Sequence, residues 1–100
     1  MELMISKENE QLNVSVTGRL DTNTAPDLEA AVNENRQDAK IVKLDFTNLD
    51  YISSAGLRVV LIFHKTMEAS GGKLIIFKPK EEVMDVFDMT GFSSFLRIEE

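Results

Sequence analysis

The stretch Leu44-Asp45-Phe46-Thr47-Asn48-Leu49-Asp50-Tyr51-Ile52-Ser53-Ser54-Ala55-Gly56-Leu57 decides how this chain is read. It opens inside a β-rich run, Ile41, Val42, Leu44 and Phe46, which reads as a strand bounded by Asn48. Apolar residues fall on both faces of that run, so an interior strand covered on both sides is expected. After a short connection, two hydroxyls stand at the first turn of a helix that runs from Ser53 to Ser70 and stops at Gly71-Gly72. A strand that feeds a helix in this way is the building unit of a parallel sheet.

Working toward the N-terminus, Leu12, Val14 and Val16 alternate with polar residues, the pattern of a strand with one buried face. Leu3 to Ser6 reads as a partner strand, joined through a hairpin turn at Lys7-Glu8-Asn9-Glu10, and Gly18 is expected to break the second strand. Asp21-Thr22-Asn23-Thr24 is a cluster of turn and cap residues. Thr24 with Asp27 forms a variant of the capping box, and Pro26 is tolerated in the first turn. Leu28, Ala31 and Val32 then recur at helical spacing, with the helix ending near Arg36 to Asp38.

Toward the C-terminus, Lys73 to Phe77 reads as a strand, and Pro79 sits where a third helix begins. Val83, Val86 and Phe87 supply that helix's buried stripe, Gly91 ends it, and Phe95, Leu96 and Ile98 make a last short strand. The expected order is β-β-α-β-α-β-α-β. This is a single α/β domain over residues 1–100: a mixed, largely parallel sheet of about five strands with helices packed against it, led by an N-terminal antiparallel hairpin.

Composition narrows the function classes. A chain of 100 residues with 43% hydrophobic and 28% charged residues can bury one core without staples. Its lack of cysteine removes disulfides, thiolate nucleophiles and cysteine-ligated metals. The net charge of −6 disfavours a phosphate-backbone partner, so no nucleic acid is expected. The N-terminus shows no signal-peptide pattern, and the longest apolar run, around Val59 to Phe63, is too short to span a bilayer; a cytoplasmic protein without membrane insertion is expected. No phosphate-binding glycine loop, metal-ligand cluster or nucleophile–histidine pair is visible, and His64 stands alone. The chain therefore reads as a non-enzyme with no cofactor and no catalytic or metal site.

Chemistry concentrates at Ser53-Ser54-Ala55-Gly56. A helix N-terminus offers unpaired backbone N–H groups and a partial positive charge, so a phosphate on a serine there would be met by amides. Spacing alone favours serine as an N-cap, and one of the two can cap while the other stays free. Small Ala55 and Gly56 would let a partner or a kinase approach closely. Gly56 lowers helix stability by about 1 kcal/mol against alanine, which points to a steric reason for it. Asp21 is either a partner-facing carboxylate or a turn-former bonded to its own backbone, and Thr22 and Asn23 extend the same polar loop, with Thr24 as a helix cap. Arg58 either pairs with a partner carboxylate or a phosphate, or is a solvated surface arginine. Met84 and Met89 flank Phe87 as core filler or adaptable contact.

Gly18-Arg19-Leu20-Asp21, Leu44-Asp45-Phe46-Thr47, Tyr51-Ile52-Ser53-Ser54-Ala55-Gly56-Leu57 and Phe87-Asp88-Met89-Thr90-Gly91 together resemble the STAS domain, and more narrowly the bacterial anti-sigma factor antagonists. The resemblance runs over nearly the whole chain, with four landmarks in order. It implies a partner-switching protein. Unphosphorylated, it binds an anti-sigma factor that is also a GHKL-type serine kinase, and a sigma factor is freed. Phosphorylation at this helix start ends the interaction, and a serine phosphatase is a further implied partner.

Aligned on Gly56-Leu57, the family's frequent Asp-Ser-Ser/Thr/Ala-Gly-Leu lies over Ser53–Leu57. This places the phosphoacceptor on Ser54 and puts Ser53 where relatives often carry aspartate; Ser53 as the target, or neither serine, are the alternatives. The partner-binding surface then comprises Asp21, Thr22, Asn23, Ser53, Ser54, Ala55, Gly56 and Arg58. A second function class is a cytoplasmic STAS accessory subunit of a membrane transport system. The serine pair with the flanking landmarks favours the antagonist, expected as a monomer when free.

Overall fold

The computed structural model describes all of residues 1–100, and strands that alternate buried and half-exposed positions set its architecture. In chain order the elements are β1 (Glu2–Glu8), β2 (Gln11–Leu20), α1 (Ala25–Asn35), β3 (Ile41–Asp45), β4 (Leu49–Ile52), α2 (Ser54–Ala69), β5 (Lys73–Phe77), α3 (Glu81–Thr90), a single 3₁₀ turn (Phe92–Ser94) and β6 (Arg97–Glu99). The sheet path is β1-β2-β3-β5-β6. Only the β1–β2 hairpin is antiparallel.

Register explains the core. Leu12, Val42 and Leu74 stand side by side across three strands, as do Val14, Leu44 and Ile76, so one face of the sheet is wholly apolar. From β2 onward the parallel strands advance in one direction, and right-handed crossovers then place every connecting helix on the same face. Accordingly Leu28 and Val32 of α1, Val60, Phe63 and Met67 of α2, and Val83 and Phe87 of α3 join those strand residues in one cluster of 22 buried side chains.

The same topology corrects the expectation that β3 is covered on both sides. Ile41, Lys43 and Asp45 lie in register with Gln11, Asn13 and Ser15 of β2 and with Lys73, Ile75 and Phe77 of β5, and most of this second face stays partly exposed. Covering it would need helices on that side, which a strand order that never reverses does not supply. Lys43 instead lies 3.9 Å from the centre of the Phe77 ring and 3.8 Å from a Glu99 carboxylate oxygen, which keeps its charge at the surface.

A second correction concerns strand count. The sheet has six strands, because the connection after β3 contains β4, which pairs in parallel with the far end of β2. Gly18 does not break β2. At φ +103° it forms a bulge with a register shift before Arg19, and β2 changes partner there from β3 to β4. The last strand is also shorter than expected. It begins at Arg97, while Phe95 turns outward against His64 and Phe92, with ring centres 4.9 and 5.1 Å away.

Candidate functional site

The bulge at Gly18 builds the site. Beyond it, Leu20 pairs with Ile52, and the N–H of Ser53 donates to the Leu20 carbonyl at 2.9 Å. Asp21 and Ser53, each the first residue past its strand, are thereby brought side by side at the carboxyl ends of two parallel strands. This is the edge where open α/β sheets present their binding residues.

Ser53 is the N-cap of α2. It is extended (φ −95°, ψ 177°), and its Oγ accepts a hydrogen bond from the Gly56 N–H at 3.3 Å. Ser54 is the first helical residue; it is exposed, and its hydroxyl makes no hydrogen bond within the chain. The two serines thus divide the roles: Ser53 is spent on the helix and Ser54 is available. Gly56 is buried. A Cβ there would lie 2.8 Å from Ile52 Cγ1, 2.9 Å from Leu20 Cγ and 3.0 Å from the Leu20 carbonyl oxygen, so only glycine lets α2 start flush against the strand ends. Gly56 therefore supports the surface from below and is not itself exposed on it.

The Asp21 loop is tied to itself. Asp21 Oδ1 accepts the N–H groups of Asn23 (3.0 Å) and Thr24 (3.2 Å), the turn-forming alternative raised by the sequence. Thr24 precedes α1 but adopts helical backbone angles (φ −101°, ψ −22°), and its side chain caps nothing. Its hydroxyl donates to the Arg19 carbonyl at 2.8 Å and accepts the Asp21 N–H at 2.8 Å. The expected Thr24/Asp27 capping box is therefore not formed, because the hydroxyl that would close it points back into the loop. Desolvation pushes the Asp21 carboxyl upward. The hydrogen bonds from the Thr24 and Asn23 N–H groups and the Thr24 hydroxyl, with the nearby Arg19 charge, outweigh it and hold the group below its ordinary value.

Arg19 and Tyr51 also belong here, although the residue pattern gave no functional signal for them. They become cross-strand partners only after the register shift at Gly18. The Arg19 guanidinium sits 4.1 Å from the Tyr51 ring centre, and its Nε lies 3.8 Å from Asp21 Oδ2. Beside them a shallow groove of about 280 Å³ runs between α1 and α2, lined by Thr22, Ala25, Glu29, Ala55, Arg58 and Ile62 among others. The structure thus brings Asp21, Thr22, Ser53, Ser54, Ala55 and Arg58 to one end of the molecule. Thr22, Asn23, Ser54 and Arg58 are exposed, Asp21, Ser53 and Ala55 are half-buried, and Arg58 makes no ion pair within the chain.

A family model for the STAS domain matches residues 3–100. The chain belongs to the STAS domain family. This STAS domain is 36% identical over 100 residues to a Bordetella bronchiseptica protein provisionally named anti-sigma factor antagonist BtrV, spanning 98% of the present chain and 85% of that one. Among solved structures it is similar to the anti-sigma factor antagonist SpoIIAA in its unphosphorylated form. The TM-score is 0.84 at 20% identity, over 97% of this chain and 87% of the other. The phosphorylated form of Bacillus SpoIIAA matches with a TM-score of 0.77 at 19% identity, over 97% and 90% of the two chains. Fold and relatives together place this STAS domain among the anti-sigma factor antagonists. No helix in it is long and apolar enough to cross a membrane.

Proposed function

We propose that this STAS domain binds an anti-sigma factor with serine kinase activity while unphosphorylated, frees a sigma factor by doing so, and is released when the kinase phosphorylates Ser54. One observation carries the assignment to Ser54. Ser53 already holds the helix through its Oγ, whereas Ser54 Oγ is exposed and unbonded at the first position of α2. A kinase can take Ser54 without dismantling the cap. Modifying Ser53 would replace the group that accepts the Gly56 N–H.

The physical consequence follows from position. A phosphate adds about −1.5 to −2 charge at pH 7, and at a helix N-terminus the backbone N–H groups and the dipole accommodate it. The helix therefore stays formed, and the change is local: a doubly charged group appears amid Thr22, Ala55 and Arg58. The switch works by altering the partner surface, not by unfolding the domain. Asp21, Thr22, Asn23 and Arg58 supply the remainder of that surface, and the partner provides ATP and the chemistry.

The reading is tested by capturing the cognate kinase on immobilised wild type, Ser54→Ala and Ser54→Asp, with phosphopeptide mass spectrometry of wild type after incubation with kinase and ATP. Phosphate on Ser54, retention by the alanine variant and loss by the aspartate variant are expected. Phosphate confined to Ser53, or equal retention by both variants, would overturn it.

A further inference from the structure

The sheet path begins at β1, so the outer edge of that strand has no neighbour and its outward backbone N–H and C=O groups have no partner strand. Soluble proteins usually blunt such edges by keeping them short, bulged, charged or proline-bearing. The opposite edge follows that rule: β6 is three residues long, with Arg97 and Glu99 flanking Ile98. β1 does not. It runs seven residues without proline, pairs with β2 in unbroken register, and sets Leu3, Met4 and Ile5 in succession, with Met4 76% and Ile5 41% exposed.

We infer that β1 pairs antiparallel with β1 of a second copy of this chain, joining two sheets across a twofold axis through Met4. The argument is one of self-complementarity. Two antiparallel strands related by a twofold must share it perpendicular to the sheet, which keeps each side chain on its own face and lets the axis pass only through a residue. Centred on Ile5, the pairing sets Glu2 opposite Glu8 at both ends, and like charges directly opposite are destabilising. Centred on Leu3, it leaves Ser6 to Glu8 beyond the end of the partner strand.

Centred on Met4, it sets Met4 against Met4, Leu3 against Ile5 twice, and Glu2 against Ser6, so no charge faces its like within the paired residues 2–6, and only Lys7 and Glu8 extend past the start of the partner strand. Leu3 and Ile5 lie on the same face as Val16 and Val14 of β2, so their pairing carries the apolar face of the sheet across the junction. The exposed Met4 side chain, on the other face, is covered by its own counterpart. One strand pair buries less than the roughly 1,200 Å² of a standard interface, so the dimer is weak and concentration-dependent. It uses no residue of the 21–23 loop or of 53–58, so it stands or falls independently of the phosphoswitch.

The chain has no cysteine, so a single introduced thiol reports one register. Under mild oxidation at high protein concentration, Met4→Cys is expected to form a disulfide-linked dimer, while Ser6→Cys, which faces Glu2 of the other copy, stays monomeric. Sedimentation equilibrium of wild type should show a reversible monomer–dimer equilibrium that Met4→Lys shifts to monomer. Met4 is exposed, and circular dichroism checks that each variant folds as wild type does. A wild type that is monomeric throughout the concentration series, or thiols at positions 4 and 6 that cross-link equally fast, would overturn the proposal.

Discussion

At the start of α1, Asp21 and Thr24 turn their oxygens into their own loop. At the start of α2, Ser53 does the same, but Ser54 does not. Both segments are short polar runs of good capping residues, and both leave a parallel strand end. The difference lies in how much of each is consumed internally. The α1 lead-in spends a carboxylate and a hydroxyl on fixing a loop, while the α2 lead-in needs one hydroxyl because Gly56 brings the helix directly onto Leu20 and Ile52. The second hydroxyl is thereby left over. In the switch proposed above, the free Ser54 hydroxyl is the group to be modified and the hydrogen-bonded Asp21 loop is part of the surface around it.

The largest effect expected from breaking this arrangement comes from Gly56→Val. Its added carbons meet Leu20 and Ile52 inside the packing distance, so α2 must lift from the strand ends. A loss of about 1–3 kcal/mol is expected for such overpacking, read from urea midpoints. Ser53→Ala comes next: removing the cap to Gly56 should lower stability by about 0.5–1 kcal/mol, toward the low end because the bond is long at 3.3 Å.

Asp21→Asn sharpens the comparison through pH. The Asp21 pKa is lower in the folded than in the unfolded chain, so its stabilisation is fully present above the ordinary value near 3.8 and is lost as pH falls through the depressed folded value. Asparagine keeps an acceptor oxygen for the two N–H groups but has no charge. Wild type is therefore expected to be the more stable at neutral pH, with the two denaturation curves converging in acid. Convergence at neutral pH would show that the charge contributes nothing to the loop. Smallest of all is Ser54→Ala, expected to change stability by less than about 0.5 kcal/mol, since no bond within the chain is lost. A larger loss would mean that Ser54 is a structural residue and that the division between the serines is wrong.

Much of this was legible in the residues. Alternation at Leu12, Val14 and Val16, helical spacing at Leu28 and Val32, and the glycines at 71–72 and 91 are local signals, and the elements they mark are present. What escaped was set by register. β4 is only four residues, Leu49–Ile52, with a burial pattern too short to show period two, and Gly18 looks like a strand terminator until the strand beside it is known. The open face of β3 escaped for a related reason: Ile41 is apolar whether or not a helix covers it, and only the strand order says that none does. Arg19 and Tyr51 are 32 positions apart and meet because a bulge shifts their strands into pairing.

The sequence by itself determined the three helices and every strand but β4, the single apolar core and a helix that opens on two serines, because each follows from neighbouring side chains and their periodicity. Tertiary structure alone decided which serine is spent and which is free, and that Gly56 serves the packing beneath the surface. Those outcomes depend on where Leu20 and Ile52 lie when α2 begins. That distance is fixed by strand pairing between residues far apart in the chain.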